Sequence, residues 1–293
     1  MEYALALPSY RAGASAEAID AATAAAARLG WQAVFTTDHV LVDTSRRAAD
    51  YAVVFDPLIT LAHVAARVPS VRIGISVVVV PMRNAVVLAK ELATLDVLSA
   101  GRLIVGVGVG WNRNEFANLG AADRFGVRGA YLDEAIELWR HLWGNGEGPF
   151  KGRFHQFDEV RFGPLPVQGA SVPIWVGGAH EAALRRAGRL GDGYHSSAAG
   201  PAQLAVRIPV VRAAAADAGR PAPLISARLR VEFGAHEVPW YVVAGTPEQM
   251  LGELRAFAEL GVDQLTFDFV ETDPVRQVAL MERFHEEVLS LLE

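Results

Sequence analysis

Asp38 and His39 follow residues 31–36, a short apolar run that reads as a strand. An imidazole beside a carboxylate at a strand's end can exchange protons near neutral pH, because free histidine titrates at about 6.5. The alternative is a structural histidine paired with Asp38. A second concentration of polar groups lies in residues 101–116, GRLIVGVGVGWNRNEF. Its β-branched residues fit a strand buried on both faces, and Gly106 and Gly108 inside it mark a place where something approaches the backbone closely. Gly110 ends the run, and Trp111, Asn112, Arg113, Asn114 and Glu115 follow at once. One sheet edge therefore receives an aromatic ring, two amides, a cation and a carboxylate, unless this is an ordinary strand-to-helix turn. Gly177-Gly178 precede Ala179, His180 and Glu181 at the start of a helix. Free N–H groups there could hold a phosphate, although the same glycines would serve a plain connection. Tyr10 and the residues His195, Ser196 and Ser197 also fall at strand ends. The histidines show no H-E-x-x-H or similar spacing, so no metal site is expected.

The elements that must position these residues alternate. Strands are expected at residues 3–7, 31–36, 71–80, 102–109, 173–176, 193–197, 224–233 and 263–269. Each is followed by a helical pattern, several opened by a capping residue and a proline, as at Asp56-Pro57, Thr246-Pro247 and Asp273-Pro274. Eight such units require parallel strands with right-handed crossovers, and an α/β fold of the (β/α)8 TIM barrel type. In such a barrel the site lies where the strands end. A doubly wound open sheet is the alternative, but the glycines of residues 106–110 do not match G-x-G-x-x-G. The whole chain, 1–293, reads as one domain, and residues 113–170 form an excursion after strand 4 with a small hairpin, a candidate lid over the barrel mouth.

Composition narrows the function classes. Hydrophobic residues make up 52% of the 293 and charged residues 20%, which suits a large buried core. A net charge of −6, with no basic cluster beyond Arg185, Arg186 and Arg189, gives no footing for nucleic acid. There is no cysteine, so disulfides and thiolate chemistry are excluded. No signal-peptide pattern opens the sequence and no apolar run reaches the ~18 residues of a membrane span, so a cytoplasmic protein is expected. Residues 57–67 and 84–98 carry apolar side chains on more than one helical face, which suggests a homodimer.

The blocks TTDH at 36–39, VVVVPMRNAVVLAKELATLDVLSAGRLIVGVGVGWNRNEF at 77–116, PVQGASVPIWVGG at 166–178 and AGRLGDGYHSS at 187–197 carry a family likeness. With them the sequence resembles the luciferase-like monooxygenase superfamily and, within it, the deazaflavin-dependent oxidoreductases, in order along nearly the whole chain. The resemblance implies the (β/α)8 barrel and a cofactor, coenzyme F420 or alternatively FMN, lying across the mouth near Asp38, His39, Val77 and Val78. It implies a non-proline cis peptide, placed at Val77-Val78 by counting back from Pro81. Gly108, Val109, Gly110 and Asn114 would border the cofactor tail. Gly177, Gly178 and Ala179 would hold its phosphate, with Ser196 and Ser197 alongside, and Arg83, Arg113, Arg185 and Arg186 are candidate contacts for the anionic tail of F420.

His39 and Asp38 are the catalytic candidates, and Tyr10, Trp111 and Glu115 the substrate-pocket candidates. Relatives that oxidise a sugar phosphate place a Glu where this sequence has Trp111, and a phosphate-binding Lys near residues 197–200, where this sequence has none. Both departures favour a small apolar substrate stacked on Trp111. Three activities stay open: an F420-dependent oxidoreductase, an FMN-dependent monooxygenase, and a barrel that binds a flavin or other small molecule without catalysis.

Overall fold

The apolar runs form eight parallel strands: β1 (Glu2–Ala6), β2 (Ala33–Thr36), β3 (Arg72–Ile75), β4 (Leu103–Gly108), β5 (Ile174–Gly177), β6 (Gly193–Ser197), β7 (Leu224–Phe233) and β8 (Gln264–Phe269). Neighbours in sequence pair with one another, and β8 pairs with β1, so the sheet closes into a (β/α)8 barrel. The computed structural model describes residues 1–236 and 238–292. One strand goes beyond the expected eight: Val242–Gly245 runs parallel to the C-terminal half of β7, from Arg230 to Phe233.

The outer helices are α1 (Ala16–Arg28), α2 (Pro57–Arg67), α3 (Ala85–Leu98), α4 (Arg113–Asn118), α5 (Arg128–Asn145), α6 (Glu181–Leu190), α7 (Pro201–Asp217), α8 (Pro247–Glu259) and α9 (Pro274–Glu287). Side chains of Ser15, Asp56, Asn84, Asn112, Thr246 and Asp273 accept N–H groups at six of their starts, satisfying donors that the helix itself cannot. Among the described residues no helix is long and apolar enough to cross a membrane.

Strand alternation sorts the side chains into two shells. Leu5, Val34, Ile73, Val105, Ile174 and Leu265 face outward into the layer shared with the helices. Ala4, Ala33, Phe35, Ile104 and Trp175 form a smaller cluster inside the barrel. On β6, β7 and β8 the inward positions are polar: His195, then Ser226 and Arg228, then Gln264, Thr266 and Asp268, all buried. Along these three strands the barrel interior is thus hydrogen-bonded rather than an apolar plug.

Two expectations change in detail. Residues 71–80 are not one strand. Pairing stops at Ile75, and resumes at Val78–Val79 against Val107 and Gly108. The cis peptide is Ser76-Val77, one bond before the expected Val77-Val78, because the break falls directly after β3 and residues 80–82 turn before Arg83. The excursion 113–170 also divides. Helix α5 is an outer helix of the barrel, with the indole N–H groups of Trp139 and Trp143 donating to the Ala85 and Ala89 carbonyls at 2.8 and 3.1 Å. The hairpin of Phe150–Lys151 and Gln156–Phe157 folds against it, where Glu134 accepts the N–H groups of Phe154 (2.9 Å) and His155 (2.8 Å). The part joined to the loop after β2 is α4, through Asn114 to Asp43 at 2.9 Å and Asn118 to the Leu41 carbonyl at 3.0 Å.

Candidate active site

His39 and Glu115, 76 residues apart, meet at the mouth: His39 Nδ1 lies 2.7 Å from Glu115 Oε2. The other carboxylate oxygen accepts the Val40 N–H at 2.6 Å, and Glu115 is fully buried. Burial alone would raise its carboxyl, but the bonds from His39 and Val40 outweigh this and hold it below the usual carboxylate range. An ionised carboxylate only accepts, so Nδ1 carries a hydrogen and Nε2 is the atom that His39 can offer to a ligand. Glu115 reaches this place because Asn112 caps α4, accepting the Asn114 and Glu115 N–H groups. Glu115, expected in the substrate pocket, has no exposed surface and stands behind His39. The His39 ring packs against Tyr51, centroids 4.2 Å apart, and against the edge of Trp111 at 5.8 Å. Tyr51 stacks in turn on Tyr10 at 6.0 Å.

Asp38 does not pair with His39 through a hydrogen bond. Both its oxygens take the Arg83 guanidinium, at 2.8 and 2.9 Å, and one also accepts the Val79 N–H at 2.8 Å. Burial raises this carboxyl, with Arg83 and Val79 pulling the other way. Its contacts brace the loop after β2 against the chain after β3.

Sequence reasoning missed the pair Arg228 and Asp268. Arg228 donates to Asp268 (3.1 Å), the Tyr10 hydroxyl (2.8 Å), Thr37 Oγ1 (2.7 Å) and the Ser76 carbonyl (3.2 Å). The Tyr10 hydroxyl donates to Asp268 at 2.5 Å, and Arg11, in a left-handed conformation at φ 71°, adds a second cation to the same carboxylate at 3.3 Å. Tyr10 is therefore a buried tie between β1, β7 and β8 as well as one ring of the aromatic wall. The available signal was alternation: Ser226, Arg228 and Arg230 at every second position of one strand, then Gln264, Thr266 and Asp268 in the next.

Burial works to raise the Asp268 carboxyl, but Arg228, Arg11 and the hydrogen bonds hold it below the usual range. A carboxyl depressed on folding contributes stability above its unfolded value of about 3.9, and that contribution is lost as pH falls through the folded value. Stability should therefore drop below about pH 4. Asp268→Asn leaves Arg228 buried without its partner and should cost about 3–5 kcal/mol at neutral pH, with a shallower loss in acid. Urea titrations at pH 7 and pH 3.5 check both; equal acid sensitivity in the two proteins would contradict it.

The glycines of β4 and β5 have an internal explanation. A Cβ on Gly108 would lie 2.5 Å from Val77 Cγ2, and one on Gly177 would lie 3.0 Å from Val77 Cγ1. What approaches these backbones is Val77 itself, which sits half-buried beside Ser76 at the floor of the mouth. Val78 is buried in the sheet, while Val109 and Gly110 are half-buried beyond β4, Gly110 with φ 73°. Across the mouth, Gly177 and His195 are neighbours in register. Gly178 (φ 134°), Ala179 and Ser197 are exposed there, and His180, the residue before α6, makes no side-chain cap. N–H groups at the start of a helix that no side chain caps can take an anion. Ser196 is buried and accepts from Arg207 at 3.2 Å. Of the cations read as a path for an anionic tail, Arg83 is held by Asp38, Arg186 is buried against Asp133 and Arg185 pairs with Glu181. Arg113 lies over the Phe125 ring at 4.4 Å.

An imidazole backed by a buried carboxylate and walled by aromatic rings, at the C-terminal end of a parallel barrel, is an arrangement that can hold and move a proton. The chain belongs to the luciferase-like monooxygenase family, whose model matches residues 4–236, and it is an oxidoreductase of that family. An uncharacterized protein of Mycobacterium tuberculosis is 29% identical over 282 residues, covering 89% of this chain and 91% of the relative. An F420-dependent glucose-6-phosphate dehydrogenase of Segniliparus rotundus is 26% identical over 310 residues, covering 89% and 90%. Among solved structures, an F420-dependent secondary alcohol dehydrogenase in complex with an F420-acetone adduct shares the fold at a TM-score of 0.83, with 19% identity over 100% of this chain and 99% of its own. The oxygenating constituent of 3,6-diketocamphane monooxygenase from Pseudomonas putida, in complex with FMN, also reaches 0.83, at 15% identity with the same coverage.

Proposed function

We propose that this protein is an F420-dependent oxidoreductase that moves hydride between the deazaflavin and a small apolar organic substrate. The observation that carries the reading is the His39–Glu115 pair set in the aromatic wall of Tyr10, Tyr51 and Trp111. The relatives named for F420 support the deazaflavin, and the residues present fit such a group. The exposed rim of Gly178, Ala179 and Ser197 before the uncapped start of α6 suits a phosphate, and the half-buried Ser76 and Val77 suit a ring above them. When bound, the cofactor supplies the two-electron hydride chemistry.

The chain's own residues do the rest. Trp111 and Tyr51 hold the apolar body of the substrate and exclude water. Hydride loss or gain at a carbon changes the charge on its attached heteroatom, so a proton must move with it. Nε2 of His39 accepts that proton in the oxidising direction and returns it in the reducing one. Glu115 keeps Nδ1 protonated and the ring in place. Asp38 contributes by bracing the loop that carries His39. The protein works as a homodimer through α2 and α3, where Ile59, Val87 and Leu98 are exposed.

Separate titrations of the purified protein with F420 and FMN test the cofactor. Tighter binding of F420 is expected. Tight FMN binding with no measurable F420 binding would instead establish the FMN-dependent monooxygenase reading, which the FMN-bound structural neighbour keeps in view. Light scattering at micromolar concentration should give twice the mass of the 31.5 kDa chain.

A further inference from the structure

His195 is buried inside the barrel, stacked on Phe35 with centroids 5.6 Å apart, and it lies between two serines. Its Nε2 is 2.7 Å from Ser76 Oγ, and its Nδ1 is 2.9 Å from Ser226 Oγ. Ser226 donates its hydroxyl hydrogen to Gln264 Oε1 at 3.2 Å. Thr266 donates to the same Oε1 at 3.4 Å, and with that oxygen toward the two hydroxyls the Ser226 oxygen accepts from His195, so Nδ1 carries the ring's hydrogen. Nε2 is left as an acceptor, and Ser76 must donate to it.

A serine hydroxyl at 2.7 Å from an imidazole has the look of a nucleophile and its base. The surroundings decide against that role. Burial, and after it the neighbouring Arg228, push the His195 imidazole down to about 3. A ring so resistant to protonation cannot take the serine proton, and its partner Ser226 is a neutral hydroxyl rather than a carboxylate. What the chain of bonds does instead is set a direction. The Ser76 hydrogen points inward, so toward any other partner its hydroxyl oxygen can only accept. The rest of Ser76 is equally fixed: its N–H donates to the Thr36 carbonyl at 2.7 Å, and its carbonyl accepts from Thr37 (3.3 Å) and Arg228 (3.2 Å). Yet the residue is only half-buried.

We propose that Ser76 is a binding residue of the mouth that presents only an acceptor, with His195 as the positioning residue that fixes this polarity, and that its partner is the imide N–H of a flavin-type ring. This rests on the cofactor class proposed above. The imide N–H is the ring N–H that oxidised flavin and deazaflavin share, so the contact would hold either ring and would not choose between them.

The test is a cycle of binding titrations without substrate. FMN and F420, each with its N3-methylated analogue, are titrated into the wild-type protein and into Ser76→Ala. Methylation should weaken binding to the wild type about 3- to 10-fold, as expected for one neutral hydrogen bond. It should change binding to Ser76→Ala less than twofold, because the acceptor is already gone. Equal effects of methylation in both proteins would overturn the inference while leaving the functional reading intact. Failure of the wild type to bind either unmodified ring would overturn both. The tautomer is read independently from long-range proton–nitrogen spectra of 15N-histidine-labelled wild-type protein. A pyridine-type Nε2 signal for His195 is expected, and a pyridine-type Nδ1 would overturn the proposed polarity whatever the titrations give.

Discussion

Replacing His39 with asparagine should leave a folded, cofactor-binding protein whose turnover is lower by about 10²–10⁴-fold, the range that a positioned proton-transfer group contributes. Asparagine is the informative replacement because of Glu115. That carboxylate is fully buried, and the cationic or hydrogen-bonding side chain it meets is His39 alone among the described residues. An asparagine amide can still donate toward it but cannot take up or release a proton. His39→Ala removes the donor as well and leaves a buried charge without its partner, a change that costs about 3–5 kcal/mol and would confuse loss of fold with loss of chemistry. Thermal unfolding and F420 titration of both variants, beside rate measurements, separate the two effects. An asparagine variant with wild-type turnover would remove His39 from the mechanism.

Gly106→Ala should be among the most damaging single substitutions in the chain, costing about 4 kcal/mol or more and abolishing cofactor binding. A Cβ there would fall inside the Ile75 carbonyl oxygen and 3.3 Å from Val77 Cγ1. The obstacle is backbone, in the middle of a closed sheet, so rotation of a side chain cannot relieve it. Displacing Ile75 would also move Ser76 and Val77, which form the floor of the mouth. Gly126→Ala is the control, since a Cβ there meets nothing within 4 Å. The control should unfold within about 0.5 kcal/mol of the wild type in urea, as surface changes usually do. A soluble Gly106→Ala protein with a normal unfolding midpoint would show that β3 and β4 are less tightly fitted than they stand here.

The sequence by itself determined the architecture. Eight apolar runs, each followed by a helical pattern and several of these with a capping residue, admit few arrangements once parallel pairing and handed crossovers are required. These are local signals, repeated along the chain, and they also put Tyr10, His39, Trp111, Gly177 and Ser197 at strand ends. The missing strand Val242–Gly245 shows the limit of such signals: it follows β7 with no helix between them among the described residues, so it falls outside the alternation that marks the other eight. The sequence also marked Gly106 and Gly108 as points of close approach, but could not say that the approaching group is the chain itself.

Only the tertiary structure decided which groups meet. Asp38 and His39 are adjacent in sequence, yet the strand end turns one to Arg83 and the other to Glu115. Arg228 and Asp268 stand 40 residues apart on neighbouring strands, and Tyr10 joins them from 218 residues before Arg228. A side chain's partner depends on register across the sheet and on which way a loop leaves it, and neither leaves a mark in the local pattern. The same holds for polarity. A serine in the sequence is donor and acceptor at once; at Ser76 the buried chain through His195 and Ser226 to Gln264 leaves only the acceptor for any other partner.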